Sequence, residues 1–283
     1  EEPLYRQYFS YVVGLLHGDL GFSVYTGRAV EDDLARYFMA TFELSSYSLI
    51  VAVLFGIPSG IITALKRNSW LDHLVRPLTM FGLSMPSFWV GILFLLVFYS
   101  WWGIAPVGGR LGYFVSAPPG LTGLYTLDSL LTGNWAALGN ALLHLLGPAL
   151  CLSLYPLAII SRQTRASMLE VAGEDYVRTA RAKGLTERSV NLKHALKNGL
   201  LPIVTIVGIQ YGYLLSRSVV VEVVFSWPGI GRYAVEAIKR FDLQPVLGFT
   251  ILVTLIYLLV NLIVDLLYFY INPKLRYGSK EVV

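Results

Sequence analysis

Charged side chains are scarce in this chain: Asp, Glu, Lys and Arg supply 14% of its 283 residues, against roughly a quarter in soluble domains. With 55% hydrophobic residues and a mean hydropathy of +0.60, that scarcity excludes intrinsic disorder and argues against an ordinary soluble enzyme. Cysteine is nearly absent. Cys151 stands alone in an apolar run, so it forms neither an internal disulfide nor a cysteine metal cluster and reads as a packing residue. No G-x-x-x-x-G-K-S/T phosphate loop occurs, which excludes ATP hydrolysis by that route. Four histidines, His17, His73, His144 and His194, are scattered without H-E-x-x-H or any paired spacing, so no metal site is expected. A G-x-S-x-G serine elbow is missing as well, and His144 and Asp265 are too isolated to make an intramembrane protease. The net charge of +4 is spread over loops, not gathered into a stripe, and nucleic acid is not expected as a partner. Internal repeats and low-complexity tracts are also lacking.

What the chain does have is long apolar runs. Five approach or exceed the roughly 20 residues that cross a hydrocarbon core: about Thr41–Leu65, Leu78–Trp102, Asn140–Ile160, Leu200–Val224 and Val246–Ile271. Each holds Gly or Pro, tolerated in a membrane where neighbouring helices satisfy the freed backbone groups. The expected fold class is therefore an all-α polytopic membrane protein. Lys and Arg set its orientation. Fourteen of them lie on the side holding Lys66, Arg67 and Arg76, the segment 162–199 and the tail, and seven lie on the other. The positive-inside rule makes the first side cytosolic. The resulting division is an extracytoplasmic segment 1–40, a membrane domain 41–273 with a cytosolic loop 162–199, and a cytosolic tail 274–283. Five spans from an external start predict a sixth, upstream helix that would return both ends to the cytosol. Trp101 and Trp102 suit an outer aromatic belt.

Function is expected in the cytosolic loop. Gly173 is read as a left-handed cap ending the helix from the third span. Asp175 is read as the N-cap of a short helix, Tyr176–Lys183, stopped by Gly184, with acid at its start and base at its end as the helix dipole favours. Thr186 then caps a helix of about Glu187–Asn198, closed by Gly199. On the short helix Arg178 and Arg181 share a face, and Val177, Ala180 and Gly184 form a small apolar ridge that would let a partner approach closely. Two readings follow from spacing alone. One is a basic amphipathic helix on lipid headgroups; the other is a plug for a protein socket, which the shortage of bulky apolar side chains favours.

The stretch DYVRTARAKGL followed by HALKNGLLP resembles the signature loop of permease subunits in binding-protein-dependent ABC importers, most closely the dipeptide, oligopeptide and nickel branch. GDLGFSVYTGRAV, LSMPSFWVG, TRASMLEV and VFSWPGIG are similar to further stretches of the same permeases, in the same order. The resemblance implies the type I permease fold in the cytoplasmic membrane and a non-catalytic role. It makes Tyr176, Val177, Arg178, Ala180, Arg181, Lys183 and Gly184 the coupling helix that docks on a cytosolic ATPase. The implied partners are a second, paralogous permease, two ATPase subunits that bind ATP and Mg, and an extracytoplasmic solute-binding protein. Short peptides are the implied cargo, with nickel complexes or oligosaccharides as the alternative.

Polar residues within the spans are weighed separately. Arg217, Tyr211 and Tyr213 are candidates for the translocation path, since an intramembrane charge faces protein or water; helix anchoring is the competing role for each. Arg217 and Glu222, five apart, are not expected to pair, and Glu222 is read as near the surface. Asn261 and Asp265, four apart, share a helix face suited to interhelical hydrogen bonds. A passive channel remains the alternative of a different class, and activity of this chain alone in liposomes would favour it.

Overall fold

The computed structural model describes residues 3–271, and the side chains of all of these except Arg188, His194, Leu201, Asp265 and 267–271. The tail expected at 274–283 lies outside the described residues. The described residues are all-α apart from a two-residue antiparallel ladder, β1 (Phe22–Ser23) with β2 (Arg28–Ala29). Its helices are α1 (Leu4–Leu16), α2 (Val30–Leu65), α3 (Trp70–Ser84), α4 (Ser87–Phe94), α5 (Tyr125–Leu131), α6 (Trp135–Ala172), α7 (Asp175–Ala182), α8 (Glu187–Ser189), α9 (Leu196–Val224), α10 (Ile230–Lys239) and α11 (Leu243–Ile271). π-helical turns extend α4 over Leu95–Trp101 and join α8 to α9 over Val190–Ala195. Four helices are long and apolar enough to cross a membrane, and the bent pair α3–α4 makes a fifth where it is counted as one span.

The first pass differs from the sequence reading because charge marks the end of the apolar run, not the end of the helix. The first pass begins at Val30, not Thr41, because Glu31, Asp32 and Asp33 lie in its first turn, where the helix dipole favours acids. Residue 40, expected as the end of an external segment, therefore falls inside α2. The third pass runs on through Arg162 and Arg165 to Ala172, directly before the Gly173 at which the sequence reading ends that helix. The second pass is not one helix but two, bent by 104°. Met85 sits at φ −81, ψ 129, since the proline that follows bars it from the helical region. Helix α1 lies wholly within the expected external segment and has no buried residue.

The described chain forms two units. One takes in residues up to Ser45, Ser87–Cys151 and Leu215–Ile256; the other takes in Ser46–Pro86, Leu152–Leu214 and the chain from Tyr257 on. In the first, Val30 and Leu34 pack with Ile230 and Tyr233, and Tyr37, Phe249 and Leu252 close around them. The connection 103–134 is pinned there by a buried ion pair. Arg110 Nη2 donates to Glu43 Oε2 at 2.6 Å and to the Gly123 carbonyl at 2.8 Å, while its guanidinium covers the Tyr125 ring at 3.6 Å. Glu43 Oε1 accepts from Thr126 through both backbone N–H and hydroxyl, which satisfies the second carboxylate oxygen.

In the second unit Ala64, Met168 and Ala195 form the core, with Ile61 and Leu196 against them. Gly60 allows α2 and α6 to meet: a Cβ there would stand 2.5 Å from the Ser161 carbonyl oxygen and 2.6 Å from Thr164 Cβ. Small residues at such crossings are how membrane helices gain van der Waals contact. Gly60→Ala is expected to destabilise by about 1–3 kcal/mol through overpacking. Gly139→Ala, where a Cβ meets nothing within 4 Å, should be neutral or stabilising by up to about 1 kcal/mol. Thermal unfolding of the two variants in detergent checks the contrast.

Candidate functional site

The short loop helix forms as expected, displaced by one residue. Helix α7 spans Asp175–Ala182, with Glu174 rather than Asp175 at its N-cap. Its end is a closed motif. The Gly184 N–H donates to the Arg181 carbonyl at 2.9 Å and the Leu185 N–H to the Ala180 carbonyl at 3.4 Å, which together make the Schellman pattern. That pattern needs a left-handed residue just beyond the helix, and Gly184 supplies it at φ +76. Gly173 is not left-handed. The turn after α6 instead runs through Gly173 N–H to the Glu170 carbonyl and Glu174 N–H to the Val171 carbonyl.

Thr186 caps the next turn, its Oγ1 accepting from Ser189 N–H at 3.4 Å. Gly199 does not close that helix. The π turn Val190–Ala195 carries the backbone into α9 without a break, and Gly199 is buried against Ser167, 3.6 Å from a Cβ built there.

The apolar ridge faces the other way from its expected direction. Val177 is fully buried and Ala180 is 6% exposed, packed with Val190 and flanked by Val171. These two residues hold α7 to its own chain and present nothing to a partner. Burying a valine contributes about 1.5–3 kcal/mol. The exposed pairs Arg178–Asp175 at 3.6 Å and Arg181–Glu187 at 2.9 Å contribute about 0–1 kcal/mol each. Apolar packing therefore positions α7, and its charged face is left for another use. Tyr176, Arg178, Thr179, Arg181, Ala182, Lys183 and Gly184 are exposed on it. Thr179 and Ala182 were not singled out from sequence; once Val177 and Ala180 are known to point inward, helical periodicity turns both outward.

The Tyr211 hydroxyl hydrogen-bonds Ser46 Oγ at 2.9 Å. Tyr213 is 38% exposed and tilts against the Tyr257 ring at 6.1 Å. Arg217 is exposed. A cavity of about 280 Å³ beside α10, lined by Tyr25, Tyr37, Arg232, Tyr233 and Glu236, includes none of the three. Burial and the neighbouring Asp33 hold the Tyr233 hydroxyl there well above the usual tyrosine range. Asn261 is half-buried on α11, and the side chain of Asp265 lies outside the described residues. Among the described residues no group of three or more His, Cys, Asp or Glu side chains is placed to hold a metal ion.

Glu222 is a correction. It is fully buried, not near the surface. Its Oε1 accepts from Thr41 Oγ1 at 2.7 Å and Ser218 Oγ at 2.8 Å, and its Oε2 from the N–H groups of Gly231 at 2.8 Å and Arg232 at 3.0 Å. Those two N–H groups belong to the unsatisfied first turn of α10. The segment SWPGIG folds around this carboxylate. Trp227 Nε1 donates to the Ala40 carbonyl at 2.8 Å, and a Cβ on Gly229 would overlap Glu222 itself.

The family described as binding-protein-dependent transport system inner membrane component matches residues 56–277. The chain belongs to that family. It is 47% identical over 281 residues to the probable D,D-dipeptide transport system permease protein DdpB of Escherichia coli K12, covering 99% of this chain and 83% of that one. It is 43% identical to the dipeptide transport system permease protein DppB of the same organism, covering 98% and 82%. The di/tripeptide transport system permease protein DppB of Pseudomonas aeruginosa UCBPP-PA14 is 44% identical over 98% and 82%. The all-α, multi-pass membrane architecture is that of an inner membrane component, and the long helices of the permease supply its passes.

Proposed function

We propose that this permease is the membrane-spanning subunit of an ATP-driven importer of short peptides, working by alternating access. The observation that carries the reading is α7: a Schellman-closed helix whose inward face is fixed by Val177 and Ala180 and whose outward face is basic and exposed. A helix held this way transmits a push as a rigid body. Membership in a binding-protein-dependent family supports the rest of the assembly. That assembly is a second, paralogous permease, two cytosolic ATPases that bind ATP and Mg, and an extracytoplasmic binding protein. The chain itself hydrolyses nothing and binds no cofactor. The names of its relatives support di- and tripeptides as cargo. The excess of Lys and Arg puts α7 and the C-terminus in the cytosol. In this reading Arg217, Tyr211 and Tyr213 flank the route taken by cargo, and Asn261 and Asp265 contribute interhelical contacts.

Uptake of a labelled dipeptide into vesicles holding the complete assembly tests the proposal: it should require ATP and both ATPases. Uptake by this chain alone would make it a channel and overturn the reading. Gly184→Asp should uncouple the assembly. A non-glycine residue at φ +76 is strained by about 1–2 kcal/mol, and the added acid reverses local charge. ATP-driven uptake is expected to fall about tenfold with the protein still in the membrane, measured against its membrane abundance.

A further inference from the structure

A carboxylate just past α10 is left half used. Asp242 is 6% exposed. Its Oδ2 accepts from the Ser23 hydroxyl at 2.8 Å and the Tyr25 N–H at 3.0 Å, which ties the end of α10 to the turn between β1 and β2. Among the described residues no hydrogen bond reaches Oδ1, and no Lys, Arg or His forms an ion pair with this acid. Arg240, the nearest cation in sequence, lies over the Tyr25 ring at 3.5 Å instead. Buried charges are ordinarily paired, so Asp242 is short of one cationic partner. It lines the cavity of about 280 Å³ beside α10.

The rest of that cavity suits a small zwitterion. The Tyr37 and Tyr233 rings stack at 5.1 Å on its wall, and Tyr25 joins them there; aromatic faces attract an ammonium group. Arg232 lines the same space. Its Nη1 donates to the Ser226 carbonyl at 2.6 Å, which fixes the guanidinium and leaves other N–H donors for a carboxylate. Glu236, the other acid on the wall, is already engaged by Lys239 Nζ at 3.0 Å. Base and acid are set apart along the helix. The Asp242 N–H donates to the Ala237 carbonyl at 3.0 Å, which brings Asp242 level with the end of α10. Ala237 lies about five residues beyond Arg232, or about 7.5 Å along the axis. An extended dipeptide is about 7 Å long. All of these residues belong to the first unit.

We propose that this cavity binds a free dipeptide, with its ammonium on Asp242 Oδ1 against the tyrosine rings and its carboxylate on Arg232. The choice of ligand rests on the reading of the chain as a peptide permease, and it adds a cargo site that includes none of Arg217, Tyr211 and Tyr213. Its place on the extracytoplasmic side rests on the orientation proposed above; the chemistry does not.

The test measures radiolabelled alanyl-alanine on the purified full-length permease in detergent by scintillation proximity, with unlabelled compounds as competitors. N-acetyl-alanyl-alanine lacks the ammonium and alanyl-alanine amide lacks the carboxylate. Each should compete about tenfold or more weakly than alanyl-alanine. Asp242→Asn keeps an acceptor for Ser23 and Tyr25 but puts an NH₂ group where the open oxygen stood. It should lower affinity for alanyl-alanine about tenfold and erase the penalty of acetylation. Arg232→Gln should erase the penalty of the amide. Arg36→Gln removes an exposed charge outside the cavity and should change nothing. The blocked peptides are read on the unaltered protein, so a variant that fails to fold leaves the test intact. Absence of binding, or equal competition by the blocked peptides, would overturn the site. Ethylamine competing as well as alanyl-alanine would leave only a cation site and overturn the peptide assignment. Asp242 also borders an opening beside Val24, Arg240 and Phe241; a loss in Asp242→Asn with none in Arg232→Gln would move the ammonium there and overturn the assignment to this cavity. The measurement uses no ATP, ATPase or binding protein. Dipeptide uptake by the complete assembly without binding here would sink the site alone, and binding here without uptake would sink the importer reading alone.

Discussion

Reversing two charges on the outward face of α7, Arg178→Glu with Lys183→Glu, should abolish ATP-driven uptake while leaving the permease folded and in the membrane. The fold has little at stake. Arg178 is 76% exposed and its partner Asp175 98% exposed, at 3.6 Å. Lys183 is exposed past the last turn. Surface changes of this kind alter stability by about 0.5 kcal/mol or less. A docked partner has much more at stake. Like charges brought together across an interface cost several kcal/mol, and each 1.4 kcal/mol is about tenfold in affinity. Uptake is expected to drop by about tenfold or more, and by binding loss rather than by slower chemistry. Pull-down of the ATPase subunits on the variant should fall in parallel. Retained binding with retained uptake would remove α7 from the docking role.

Val177→Asp makes the opposite kind of change and serves as the contrast. It buries a charge between Val171 and Val190 and should detach α7 from its support, so that uptake and resistance of the loop to protease are lost together. In the double reversal only uptake is lost. The pair of experiments therefore separates a surface that transmits from a core that merely holds.

The helical passes and the Gly184 stop were legible because both are local. Apolar run length reports a membrane pass, and a glycine after a basic last turn reports a cap. The direction of the α7 ridge was not legible. Spacing puts Val177 and Ala180 on one face, yet it cannot say whether that face looks inward, because the deciding contact comes from Val190, beyond the next turn. That turn was read as the start of an independent helix closed by Gly199, whereas a π turn joins it to α9. Glu222 was misplaced for a similar reason. Its four donors come from Thr41, Ser218, Gly231 and Arg232, and only the i,i+4 neighbour Ser218 is visible locally. The acid pair Glu43 and Asp72 escaped notice because each finds its arginine in another segment or outside an apolar run. Ser69-x-x-Asp72 did carry a signal, the capping-box spacing.

Glu222→Ala should destabilise the permease by about 3–5 kcal/mol. The alanine leaves the Thr41 hydroxyl proton and two backbone N–H groups without an acceptor, while Ser218 keeps the Leu215 carbonyl at 3.3 Å, and each orphaned buried group costs about 1–3 kcal/mol. Glu222→Gln discriminates the mechanism. Its amide oxygen can accept from Gly231 and Arg232, which have only donors to offer, so its NH₂ must turn toward Thr41 and Ser218. Ser218 can accept in return. Thr41 Oγ1 already accepts from the Ile230 N–H at 2.9 Å, though a hydroxyl has a second lone pair. The glutamine variant therefore retains the pairings with a weaker, uncharged acceptor at the start of α10, where the helix dipole favours an anion. Its expected cost is about 1–2 kcal/mol. Thermal unfolding in detergent ranks the three proteins, wild type above Gln above Ala. Protease cleavage near α10 should rise in the alanine variant before the rest of the chain opens, because the first turn of that helix has lost the group that anchors it. If alanine and glutamine prove equally costly, the charge rather than the hydrogen-bond geometry holds α10. If neither is costly, the carboxylate is not its anchor.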